Sequence, residues 1–131
     1  MMFLYIFLAN VVVTFICAAL WHMVFFKKTY DALGVFTRKE PIIPLGMGSM
    51  ILQGLVVAYT FPYFVRLGDA LISGAIYGVL FIGLFMGSNA VLAEAAKNEV
   101  GALKTWIPLE MTYYILQGLI VGAAIGALYY L

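Results

Sequence analysis

The chain has 131 residues, 66% of them hydrophobic and 10% charged, with a formal net charge of +1. A water-soluble domain of this size has too little interior for so much apolar side chain, and the mean hydropathy of +1.08 points to a bilayer as the solvent. No basic cluster suggests nucleic acid, and the single cysteine, Cys17, excludes an intrachain disulfide.

Four stretches match the span of about 20 residues that a hydrocarbon core requires: Phe3–Phe26, Ile43–Phe64, Ala70–Leu92 and Trp106–Leu131. The first has neither a basic n-region nor a small-residue cleavage site, so we expect it to be retained. Within it Asn10 and Thr14 are isolated polar groups, expected to bond to neighbouring helices. Trp21 and His22 close it, and with Tyr113, Tyr114, Tyr129 and Tyr130 they suit an interfacial aromatic belt. A metal would need more ligands than one histidine, and a haem held by two histidines would need a second chain.

The loop "KKTYDALGVFTRKEP" alternates apolar and polar groups, and Gly34 can end a short helical turn within it. It suits a segment lying on the membrane surface. The second span opens with Pro44, where a missing N–H costs nothing, and carries Gln53 near its centre. The third carries Gly74, Gly78, Gly83 and Gly87. The fourth opens near Pro108, places Glu110 in its first turn to suit the helix dipole, and carries Gln117 with Gly118, Gly122 and Gly126. The acidic residues Asp69, Glu94, Glu99 and Glu110 all fall at or beyond the ends of these spans. Met47, Met50 and Met111 are expected to pack.

A segment is written twice. "IPLGMGSMILQGLVV" at 43–57 and "IPLEMTYYILQGLIV" at 107–121 share ten of fifteen positions without a gap, at an offset of 64. The copies are the second and fourth spans, so an even number of crossings separates them and they point the same way. The expected fold is therefore all-α: one four-helix transmembrane bundle over 1–131, built from two parallel pseudo-repeated hairpins at about 1–66 and 67–131. Gln53 and Gln117 form a polar pair near the midplane, where an amide must face protein. Glycines at four-residue spacing let helices approach closely in lipid. The third span already offers four of them, so one glycine face is expected to be left over for a partner chain, with Gly122→Ile weakening association more than folding.

Lys27, Lys28, Arg38, Lys39, Lys97 and Lys104 lie on one side of the membrane and Arg66 on the other. The positive-inside rule puts the lysine-rich loops in the cytoplasm and both termini outside; for a bacterial source, the expectation here, the membrane is the inner one and the termini face the periplasm.

The stretch "ALWHMVFFKKTYDALGVFTRKEPIIPLGMGSMILQGL" resembles small four-helix bacterial membrane proteins grouped as domains of unknown function, a resemblance that implies the fold and no activity. Small multidrug transporters share the size but carry a carboxylate within helix one, which this chain lacks.

No nucleotide loop, nucleophile–base pair or paired carboxylates can be found, so an enzyme, a cofactor and a metal are not expected. The sequence favours a noncatalytic accessory or assembly subunit. Its expected partners are membrane lipid and other transmembrane subunits or a second copy of itself. The alternative is a small oligomeric transporter or a lipid- or small-molecule-binding membrane protein, with Gln53 and Gln117 lining its site.

Overall fold

The computed structural model describes residues 1–131, the side chain of Leu67 excepted. It is all-helical. Four helices are long and apolar enough to cross a membrane: α1 (Met2–Phe25), α3 (Ile43–Phe64), α4 (Ala70–Ala95) and α5 (Leu103–Leu128). A short helix, α2 (Lys27–Leu33), lies between α1 and α3. Large apolar side chains cover the outside, Leu8, Val12 and Phe15 on α1 among them. Such a surface would aggregate in water and is at home in lipid. The chain is an integral membrane protein.

Local chemistry sets the ends. Gly34 stops α2 in the left-handed region at φ 65, where a side chain would be strained. Asp69 caps α4, its carboxylate accepting from the Leu71 and Ile72 amides at 2.9 and 3.1 Å. Helix α5 begins three residues before the expected Trp106, at Leu103. Pro108 consequently lies inside the helix rather than at its start, and the Lys104 carbonyl loses its helical donor. The loop after α4 reaches back to α2, with Gly101 against the Leu33 carbonyl; a Cβ there would sit 2.8 Å from that oxygen.

The core divides by level. Ile6, Val57, Phe61, Ile82, Val121 and Ile125 fill the half nearer the termini. At the lysine-bearing end a second cluster of Tyr30, Val91 and Trp106 ties α2 to α4 and α5.

The glycine faces are spent inside the bundle. A Cβ on Gly74 would collide with Gly122 and Gly126, one on Gly78 with Gly118 and Gly122, and one on Gly83 or Gly87 with α5 at Ile115 or Tyr114. Helices α4 and α5 therefore meet backbone to backbone along their length, correcting the expectation of a free glycine face. The steps along α4 are four, five and four residues. In a regular helix Gly83 would lie about 2.5 turns beyond Gly74, on the opposite face. Instead Gly78–Ser88 is wound as a π-helix, whose wider i→i+5 turn stacks Gly83 one turn above Gly78. Ser88 follows the same register, its hydroxyl donating to the Gly83 carbonyl five residues back at 3.1 Å.

Candidate functional site

At the lysine-bearing end, three helices bring a carboxylate, an imidazole and a phenol together. Glu110 is the eighth residue of α5, about 10 Å along it, and only 8% exposed. It is not the first-turn acid expected from the sequence, because the helix starts earlier, and α1 and α2 close over it. Its Oε2 accepts a short hydrogen bond from the Tyr30 hydroxyl. Its Oε1 lies 3.2 Å from His22 Nε2. Tyr30 in turn accepts from Trp21 Nε1 at 3.0 Å. Tyr30 is 1% exposed, so one face of α2 is pinned to the bundle by its own tyrosine, while Lys27, Lys28 and Asp31 stay exposed.

The bonding fixes where protons sit. His22 Nδ1 is 3.0 Å from the Ala18 carbonyl, which can only accept, so Nδ1 carries a hydrogen. A neutral imidazole would then present a bare lone pair at Nε2 to the carboxylate. One proton must therefore lie between Nε2 and Oε1. Whether it is written on the histidine or on the acid, the pair is electrically neutral, which suits a site inside a membrane. Around it, the His22 ring lies 4.7 Å from that of Tyr30 and 4.6 Å, edge to face, from that of Tyr113. These contacts make Trp21, His22 and Tyr113 parts of an internal cluster instead of an outward aromatic belt.

Burial, and then the bond to Glu110, push the Tyr30 phenol well above its ordinary value of 10. The folded chain holds that proton more tightly than an unfolded one. The stability gained is whole below about pH 10 and falls away as pH rises above it.

Beside this cluster a groove of about 730 Å³ opens between α1 and α3, within the range of small-ligand sites. Phe15, Ala18, Met23, Leu45 and Met50 form its sides, and Val35 to Arg38 its roof. His22 is part of the wall, but both its nitrogens are engaged, so it offers the groove its ring. The roof rests on the buried cluster, with Phe36 5.6 Å from the Tyr30 ring and 6.1 Å from that of His22.

The two glutamines lie deeper. Gln53 Nε2 donates to Asn10 Oδ1, and Gln117 Nε2 to Thr14 Oγ1, both at 3.3 Å. Among the described residues neither bonds to the other; they grip consecutive turns of α1. Gln117 is buried and Gln53 half-buried, and each such bond in a membrane is worth about 0.6 kcal/mol. Asn10 Nδ2 and Gln117 Oε1 are buried without a partner among the described residues. Neither glutamine lines the groove.

Nor among the described residues does any group of three or more His, Cys, Asp or Glu side chains stand ready for a metal. No protein-family model matches the chain, and no curated protein or solved structure matches it.

Proposed function

We propose that this integral membrane protein binds a membrane-soluble small molecule or lipid in the α1–α3 groove, without catalysis. The single observation behind this is the groove itself, apolar within, roofed by Val35 to Arg38, and braced by the buried Tyr30–Glu110–His22 cluster. Small-molecule sites combine an apolar lining with a few fixed polar groups, as here. An accessory-subunit role drew on a spare glycine face, and those glycines are engaged within the bundle, so the binding role has the better physical support.

A photoreactive side chain tests it. At Leu45, which is 69% exposed and lines the groove, it should capture one predominant adduct mass from native membranes. At Phe85, 64% exposed on α4 away from the groove, it should capture the spread of bulk lipid. The same spread at both positions would rule the groove out as a site.

The proposal includes a bacterial inner membrane with both termini outside, from six Lys and Arg residues against one across the bilayer. It includes descent of the two hairpins from one duplicated unit, on the strength of the 43–57 and 107–121 match. Cysteines placed at Thr37 and Asn98 in a Cys17→Ser background should be shielded in intact cells from an impermeant thiol reagent, and one at Gly68 labelled. The reverse pattern would invert the topology.

A further inference from the structure

The groove's chemistry is one-sided in charge. Its sides are apolar, and the polar groups that border it are Thr37, Arg38 and the fully engaged His22. Among the described residues no carboxylate lines it, and Arg38 makes no ion pair. The nearest carboxylates by sequence are occupied or turned to solvent: Asp31 pairs with Lys27 at 2.7 Å, and Glu40 is exposed. Arg38 and Thr37 therefore border the groove as exposed residues, with no ion pair or side-chain hydrogen bond of their own among the described residues. A guanidinium matches phosphate oxygens in a two-point fork.

The level of the groove fits the same occupant. Its α1 wall runs from Phe15 to Met23, about 12 Å of helix, ending at the lysine-bearing membrane surface. Small side chains at Ala18 and Ala19 hollow that wall, and Leu45 and Met50 face it from α3. An acyl chain can lie along this trough while its headgroup stays at the level of Arg38.

We infer that the groove takes a single anionic phospholipid from the leaflet on the lysine-bearing side, its phosphate on Arg38 and Thr37 and an acyl chain between α1 and α3. This rests on the binding role proposed above and names the ligand class.

The test is native mass spectrometry of the full chain released from nanodiscs of equimolar phosphatidylglycerol and phosphatidylcholine. Wild type should retain one phosphatidylglycerol, favoured over phosphatidylcholine by about fivefold, the worth of one basic residue near an anionic surface. Arg38→Gln should bring the two lipids level. Leu45→Trp, at an exposed position that leaves the helix seams intact, should fill the trough and lower retention of both. Equal retention by wild type, falling in Leu45→Trp, would overturn the anionic assignment and leave the groove as a binding site. A preference unchanged in Arg38→Gln would overturn it too, assigning the effect to general attraction by the loop lysines. Retention unchanged in Leu45→Trp would remove the groove as a site altogether.

Discussion

Gly122→Ile is expected to destroy the folded monomer, seen as loss of a cooperative thermal transition in mild detergent. A Cβ at this position would overlap the Gly74 carbonyl oxygen and lie 2.8 Å from Gly78 Cα. Both obstacles are backbone, so no rotamer change can clear them. The helices must separate, and separation forfeits van der Waals contact along the whole α4–α5 seam, the term that drives helix association in lipid. Overpacking an ordinary core costs about 1–3 kcal/mol, and with an unyielding backbone the cost should reach the top of that range or exceed it. Ile at Gly46, where a Cβ meets nothing within 4 Å, is the control and should melt as wild type does. A stable Gly122→Ile monomer would mean that the seam is not as close as described.

Glu110→Leu should be nearly as damaging, while Glu110→Gln should be mild. Leucine removes a hydrogen-bond partner from two neighbours at once, the buried Tyr30 hydroxyl and the partly buried His22 ring. Breaking a buried pair from one side typically costs about 3–5 kcal/mol. Glutamine can keep every bond. Its carbonyl accepts from Tyr30, and its amide donates to His22 Nε2, replacing the shared proton with a fixed N–H. A loss of no more than about 1 kcal/mol is expected, by the same thermal assay. If Leu and Gln prove equally harmful, the charge of Glu110 matters more than its hydrogen bonds, and the neutral-pair description fails.

The architecture was largely legible before the structure, because span length and apolar content are properties of a sequence window alone. The site was not. Trp21, His22, Tyr30 and Glu110 are separated by up to 89 positions, and no local pattern links them. Glu110 was misplaced for a definite reason: Pro108 resembles a helix start, yet α5 runs five residues ahead of it. A signal was nevertheless present in the duplicated segment. Of its five mismatched positions, four replace Gly46, Gly48, Ser49 and Met50 by Glu110, Thr112, Tyr113 and Tyr114. Of the second set, Glu110 and Tyr113 meet His22 of α1 in the polar cluster. At the matching level of α3 the groove opens beside Leu45 and Met50.

The widened winding of α4 has a consequence for how this helix can change over evolutionary time. A one-residue insertion in a membrane helix ordinarily swings everything beyond it round by about 100° and exchanges its lipid-facing and protein-facing sides. Here the five-residue step from Gly78 to Gly83 behaves as such an insertion whose angular error has been absorbed on the spot. A chain lacking Leu80 would space its four glycines evenly and could revert to ordinary helical winding with the same face still turned to α5. Length and facing are thus uncoupled in this helix. Homologous chains one residue shorter between Gly78 and Gly83 should share the bundle, whereas a lost residue in the evenly spaced run Gly118 to Gly126 should be selected against.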